Sequence, residues 1–392
     1  MCGLAGFLGG EWQGGADETI QIVSGMSGAL VHRGPDDAGS WYGGPVAFGH
    51  RRLSIIDLSA RSHQPMIDEE LSLVFNGAIY NYRELRAELQ ARGHHFASGG
   101  DTEVILKAYR EWGEACPARL HGMFAFAIFD GPDVMLARDP IGIKPLYYAY
   151  DRERIYFTSE LGAMTLAGVE EVHEFPAGHY YTSRDGFVRY YRVPAVQDDP
   201  IADVERAAGL IRRRFIKAVK DRLLSDPDVP VGSFCSGGLD SSLVATIAAE
   251  NIPRLHTFAV GMRDANGELS DDLKAGRIAA DYIGATHHEL VFSEDDYYEA
   301  LPLVIRKLET YDPALVRCAV PCYFTCQLAA DYVTVVLTGE GADELFAGYH
   351  YMKHFAPETA LPGALFAFWC ILTAAGASSW LRRRDTEPVP GI

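Results

Sequence analysis

Apolar and polar positions change their period along this chain, and the changes divide it. Up to about residue 195 the apolar residues come mainly in short strand-type runs: Leu71 to Phe75, Phe124 to Asp130, Val134 to Arg138, Leu146 to Tyr150 and Arg154 to Thr158. Runs of this length predict β-strands. Helical stretches, Ile20 to Leu30 and Glu103 to Glu111, interrupt them. Between Val193 and Asp203 the pattern breaks into prolines and acidic residues, Pro194 and Asp198-Asp199-Pro200, as in a linker. An amphipathic helix follows, over about Ala202 to Ser225. Strand and helix types then alternate: strand Val229 to Phe234, helix Leu243 to Ala249, strand His256 to Gly261, helix Ser270 to Ile283, strand His287 to Val291 and strand Val333 to Leu337. Such alternation predicts a doubly wound parallel sheet. The chain therefore reads as two domains, an α+β unit over 1–195 and an α/β unit over 202–392.

The junction that opens the second unit reads Cys235-Ser236-Gly237-Gly238-Leu239-Asp240-Ser241-Ser242. Strand, glycine-rich turn and helix together aim free backbone N–H groups and a helix dipole at a phosphate. Adjacent glycines let the main chain approach it closely. Ser241 and Ser242 add hydroxyl donors, and Asp240 offers an oxygen ligand to magnesium. The Lys of an ordinary P-loop is missing. A plain strand–turn–helix junction would account for the glycines but not for the whole string.

At the other end of the chain Cys2 follows Met1, and its small side chain allows that methionine to be removed. A processed cysteine would carry an α-amine of pKa about 7.7–8.0 beside a thiol of about 8.5. The amine then serves as the local base for thiol attack. Taken alone, a second-position cysteine is usually incidental; its neighbours give it weight.

Composition narrows the partners. At 392 residues the chain is long for one core, and 48% hydrophobic with 22% charged residues is ordinary for a soluble globular protein. The net charge of −18 argues against nucleic acid or anionic membrane as the main partner, despite the basic run Arg212-Arg213-Arg214. Met1 leads at once into a glycine-rich segment, so no signal peptide is expected. Seven cysteines, an odd number, suggest reduced thiols and the cytoplasm. Cys318, Cys322 and Cys326 line one helical face without an iron–sulfur spacing and read as small buried residues. His287-His288 reads as a strand start rather than a metal site.

Met1-Cys2-Gly3-Leu4-Ala5-Gly6-Phe7 resembles the opening of the class II glutamine amidotransferases, whose N-terminal Cys hydrolyses glutamine to ammonia. His32-Arg33-Gly34-Pro35-Asp36 and Arg52-Leu53-Ser54-Ile55-Ile56-Asp57 match further segments of that family. The resemblance implies Cys2 as nucleophile and Arg52 as a bidentate fork for the substrate's α-carboxylate. It implies Asn76-Gly77, at the end of the strand Leu71 to Phe75, as the oxyanion hole, and Asp101 as the carboxylate for the α-amine. Asp101 also stands where it would cap a helix. Leu53, Ser54, Ile55 and Ile56 complete the implied glutamine site. Where the family reads NGEIYN, this chain has Asn76-Gly77-Ala78-Ile79-Tyr80-Asn81, so Ala78 removes a carboxylate beside that site. The implied fold is the αββα sandwich of N-terminal nucleophile hydrolases. Arg138-Asp139-Pro140, Gly142 to Tyr148 and Phe157-Thr158-Ser159-Glu160 also resemble family segments, expected to shape the wall between two sites.

The Ser236 to Ser242 string resembles the loop of the N-type ATP pyrophosphatases, which split ATP between its α and β phosphates, and its spelling is that of the asparagine synthetase family. Thr338-Gly339-Glu340-Gly341-Ala342-Asp343-Glu344 resembles that family's SGEGSDE segment, and Glu309-Thr310-Tyr311-Asp312 its ETYD. The resemblance implies ATP at Cys235 to Ser242, Val260, Thr338 and Gly339. It implies Glu340 in formation and use of an adenylate, and Mg²⁺ between Asp240 and Asp343. The implied function is glutamine-dependent asparagine synthesis by a carbon–nitrogen ligase. Its small-molecule partners would be glutamine, ATP and aspartate, and a homodimer is a compatible assembly. Two alternatives stand beside it: an amidotransferase of the family acting on another carboxylate, and a glutaminase or nucleotide-binding remnant without synthetase turnover. The quoted motifs end near residue 350, and the family's ExRxPFLD segment and later lysine are not found, so the synthetase part is expected to be cut short. The apolar stretch Ala360 to Trp380, before Arg382-Arg383-Arg384, is long enough for a membrane span but reads as a packed helix.

Overall fold

A computed structural model describes residues 1–9, 15–131, 133–151, 154–193, 201, 203–264, 266–346, 348 and 349. In the first half the strands are β1 (Gly3–Leu8), β2 (Asp37–Gly43), β3 (Val46–Arg52), β4 (Met66–Asp68), β5 (Leu71–Ile79), β6 (Gly122–Phe129), β7 (Val134–Arg138), β8 (Tyr147–Asp151), β9 (Arg154–Thr158), β10 (Val172–Glu174), β11 (His179–Thr182) and β12 (Gly186–Arg189). The helices are α1 (Gly15–Gly28), α2 (Tyr82–Ala91), α3 (Thr102–Trp112) and α4 (Leu161–Leu166). The strands form two antiparallel sheets, in the orders β10-β8-β9-β1-β3-β2 and β12-β11-β7-β6-β5-β4.

Alternation along each strand turns one face of each sheet inward. Leu4, Phe48, Val74, Ala127, Leu136 and Phe157 fill the space between the sheets. On the outer face of the first sheet, Val23 and Met26 of α1 pack against Ala5, Phe7 and Ala47. Leu85 and Leu89 of α2, with Val104 and Ile105 of α3, cover the second sheet. The result is the αββα sandwich expected from the sequence.

The second half runs α5 (Val204–Arg222), β13 (Val231–Phe234), α6 (Leu239–Ala249), β14 (His256–Gly261), α7 (Asp271–Ile283), β15 (Thr286–Val291), α8 (Glu294–Leu308), α9 (Pro313–Ala330), β16 (Val335–Leu337) and α10 (Ala342–Phe346). Its sheet is parallel, in the order β15-β14-β13-β16. The chain winds outward from β13 to β15 and then returns to the opposite side of β13. The winding therefore reverses between β13 and β16, and the crevice at their carboxyl ends is where open α/β sheets take ligands.

Some boundaries differ from the apolar pattern. β13 begins at Val231 rather than Val229, since Pro230 has no N–H for the ladder. β5 does not end before Asn76: it continues to Ile79, because Ala78 and Ile79 still pair with Met123 and Gly122. The stretch Ala360 to Trp380 lies outside the described residues. Among the described residues no helix is long and apolar enough to cross a membrane.

Candidate active site

β1 runs antiparallel to β3 with Gly3 opposite Arg51, which sets Cys2 beside the residues leaving β3. The Leu53 N–H donates to Cys2 Sγ at 3.4 Å, and Arg33 Nε donates to the Cys2 carbonyl at 3.0 Å. Arg33, 1% exposed, also donates to Glu160 at 2.8 Å. Burial would raise Glu160, but the His32 hydrogen bond and the Arg33 charge hold its carboxyl down to about 2. The His32-Arg33 turn thus fixes the main chain of Cys2. Lys144 is buried and donates to Met1 Sδ. Burial, aided by the charge of Arg33, holds the Lys144 amine down to about 7. Burial likewise holds the Met1 amine down to about 4.

β5 packs against β1 and β3 across the sandwich. Its Asn76 has no exposed surface, and among the described residues neither Oδ1 nor Nδ2 has a partner. Buried amides are nearly always paired, so this one has unused capacity to bond. Gly77 is required by packing: a Cβ there would sit 2.1 Å from the Met123 carbonyl oxygen. Asp101 does not cap α3 as expected. Its buried carboxylate turns instead to β5 and accepts the Ile79 N–H at 2.9 Å, while burial pushes its pKa up to about 6.

Arg52 is 6% exposed, and both described hydrogen bonds of its guanidinium go to carbonyls, those of Ser59 at 3.2 Å and Asp57. Neither bond goes to a carboxylate, and its charge acts on Asp101, where it works against the rise in pKa that burial imposes. Asp57 ties the loop together, at φ 55°. Its carboxylate accepts from Gly99 N–H at 2.7 Å, Ser62 Oγ at 2.9 Å and Ser59 N–H at 3.0 Å. Burial would raise it, and these donors hold it down to about 2. Leu53, Ser54, Ile55 and Ile56 line this loop half-buried, with Ser54 N–H on Asp36 at 2.8 Å and Ile56 packed into the core. Glu103 accepts from Ala97 and Ser98 N–H, and Arg86 donates to the Ser98 and Gly100 carbonyls, so the approach to Asp101 is equally fixed.

The second cluster lies at the reversal of the parallel sheet. Gly237, at φ +81°, is locked twice over, since a Cβ would stand 2.3 Å from the Ala275 carbonyl carbon of α7. Cys235 is buried under the turn, and Leu239 and Asp240 open α6. Ser236 and Ser241 share a hydrogen bond at 3.1 Å, and Ser242 Oγ is buried. Thr338-Gly339 follow β16, and a Cβ on Gly339 would come within 3.0 Å of Ser241 N. The two loops therefore face each other across the crevice. Burial, then the charges of Glu344 and Asp343, raises the pKa of Glu340. Burial, then Asp240, raises that of Asp343. Oxygen-rich carboxylates that repel one another suit a hard cation. Among the described residues no three such side chains form a metal cluster, so an ion here would draw its other ligands from phosphate and water. Val260, near the end of β14, packs against the α8–α9 layer. On the cysteine face of α9 only Cys326 is buried as expected; Cys322 is half-buried, and Cys318 is exposed because it lies in the outer, N-terminal part of the helix. The Cys322–Cys326 contact lowers the Cys322 pKa and raises that of Cys326.

Two acidic side chains of the second half reach the first. Asp226 donates its N–H to the Ile55 carbonyl at 2.9 Å and accepts the Leu58 N–H at 3.0 Å. Glu309, at φ 55°, accepts from Leu161 N–H at 2.7 Å and Gly162 N–H at 2.6 Å, next to Glu160. The ETYD segment accounts for Glu309 as a motif residue; nothing in the sequence pattern marks Asp226, Arg86 or Glu103 for these contacts.

Comparison with known proteins gives the same division. The glutamine amidotransferase domain family matches residues 1–185, and the asparagine synthase family matches residues 210–387, past the last recognised motif. A probable glutamine-hydrolysing asparagine synthetase of Dictyostelium discoideum is 36% identical, covering 97% of this chain and 72% of that protein. Asparagine synthetases 3 and 1 of Arabidopsis thaliana are 36% and 39% identical, covering 97% and 91% of this chain. The chain spans 68% and 62% of their respective lengths.

Proposed function

This chain belongs to the family of glutamine-hydrolysing asparagine synthetases, and from that premise we propose that it hydrolyses glutamine in its first half and uses the ammonia to amidate aspartate in its second. The working division is residues 1–195 for the glutaminase and 202–392 for the synthetase. The observation that carries the reading is the buried amide of Asn76, without a partner among the described residues, on a strand packed against the one that follows Cys2.

With Met1 removed, the Cys2 amine takes the thiol proton and Sγ attacks the glutamine side-chain carbonyl. Asn76 and Gly77 donate to the oxyanion. The C–N bond breaks, the amine returns its proton to the leaving nitrogen, and ammonia and a glutamyl thioester result. Water then releases glutamate. Arg52 takes the substrate α-carboxylate and Asp101 its α-ammonium. In the second half the turn Cys235 to Ser242, with Val260, Thr338 and Gly339, holds ATP. Aspartate attacks the α-phosphate, pyrophosphate leaves, and ammonia displaces AMP from the adenylate to give asparagine. Glu340, with its raised pKa, is suited to hold a proton while the adenylate forms and is used. Asp240 and Asp343 fit Mg²⁺, which when bound neutralises phosphate charge. The odd number of cysteines favours the cytoplasm as its compartment.

The test is pyrophosphate release from Mg-ATP with and without aspartate, in the unmodified chain and in Cys2→Ala. Release should require aspartate and run on either glutamine or ammonium chloride. Cys2→Ala should abolish glutamate formation and keep the ammonium-driven reaction. Glutamine hydrolysis that survives the substitution refutes the reading.

A further inference from the structure

We propose that Asp226, a residue of the second half, is a positioning residue for glutamine recognition in the first. The inference rests on the glutaminase reading above and adds a residue to it. Its two hydrogen bonds bracket one short loop: the Ile55 carbonyl accepts from its N–H at 2.9 Å, and the Leu58 N–H donates to its Oδ2 at 3.0 Å. Ile56 and Asp57 are all that lie between these anchor points.

Asp57 governs both of the groups meant for the charged α end of the implied substrate. Its carbonyl, with that of Ser59, takes the Arg52 guanidinium and so aims the cation meant for the α-carboxylate. Its carboxylate takes the Gly99 N–H at 2.7 Å, just before Gly100 and Asp101, the group meant for the α-ammonium. A shift of the Asp57 backbone therefore moves both binding groups at once. Asp57 holds φ 55°, a left-handed conformation that non-glycine residues seldom adopt and that persists where surrounding bonds impose it. The bonds from Asp226 flank it on either side.

Asp226 is itself held in a turn by the Val229 N–H, which donates to its carbonyl at 3.0 Å just ahead of β13. The brace thus stands on the strand that carries the Ser236 to Ser242 loop. The side chain is only half-buried, so its removal opens no core cavity.

Asp226→Ala tests this in the full chain. Glutamine KM should rise about tenfold with kcat within about twofold, while ammonium-driven pyrophosphate release is unchanged. Asp226→Asn keeps an acceptor for Leu58 and should return the glutamine KM to within about twofold of the unmodified chain. Should the alanine variant fail to fold, Asp226→Leu, similar in size and without an acceptor, is expected to show the same rise. An unchanged KM in the folded variant lacking the acceptor overturns the proposal. So does an asparagine variant as impaired as alanine, or an equal loss of the ammonium-driven reaction. An unmodified chain that hydrolyses no glutamine overturns the glutaminase reading itself, and this inference with it.

Discussion

Arg52 gives the sharpest quantitative test of the glutamine site. Its guanidinium is almost wholly buried, yet its described hydrogen bonds go to the carbonyls of Ser59 and Asp57 rather than to a carboxylate. A buried cation with neutral partners keeps much of its capacity for a charge-assisted bond, worth about 1.5–3 kcal/mol. Arg52→Ala should therefore raise the glutamine KM by about 10- to 150-fold. Maximal turnover should change little, because the proposed fork serves the end of the substrate remote from the scissile amide. The same substitution leaves two loop carbonyls short of a donor, so the melting temperature should fall by a few degrees. Binding and folding effects are separated with 4-aminobutanamide, which lacks the α-carboxylate. The unmodified chain should discriminate strongly between glutamine and this analogue, and Arg52→Ala should not. Glutamate or 4-aminobutyrate formation, followed over substrate concentration, reads both constants. If the discrimination ratio survives the substitution, Arg52 is not the carboxylate fork.

Asp101 and Gly237 support two further tests. Burial raises Asp101 to about 6, above the about 3.9 of an unfolded chain, so its contribution to stability is fully present below pH about 4 and is lost as pH rises through about 6. On the proposed role the α-ammonium needs the ionised form, so glutamine KM should climb about tenfold per pH unit below about 6, and Asp101→Asn should flatten that slope. A flat profile in the unmodified chain refutes the role. Gly237→Ala places a Cβ 2.3 Å from the α7 backbone at φ +81°, which should destabilise the chain by about 2–4 kcal/mol and raise the ATP KM while glutamine hydrolysis persists. An unchanged denaturation midpoint contradicts that account.

What the sequence disclosed is what local chemistry writes down. β7, β9 and β14 lie where their apolar runs placed them, since short runs and their flanking turns are encoded within a few residues. Cys2 and the Ser236 to Ser242 turn stood out in the sequence because the chemistry proposed for each calls for particular residue types in a fixed order. The position of Asn76 inside β5 did not, because four further ladder pairs on β6, from Asn76–Ala125 to Ile79–Gly122, decide where that strand stops. The helix-capping role expected of Asp101 was displaced by a tertiary partner, Ile79 N–H, which local sequence does not show. Asp226 and Arg86 escaped notice for the same reason, as their acceptors and donors lie far away along the chain. Glu160 sat in a recognised segment, but its grip on Arg33 emerges only when the turn after α1 meets the end of β9.

Glu309 and Asp226 together limit how freely the halves can be recombined. A glutaminase expressed alone would carry the Leu58, Leu161 and Gly162 amides and the Ile55 carbonyl without their protein partners. Grafting this first half onto another acceptor enzyme would therefore require transplanting two carboxylates with it, one just ahead of β13 and one at the end of α8. Modular as the two folds look, their border has a residue-level compatibility code, and chimaeras that ignore it should lose glutamine affinity before they lose either fold.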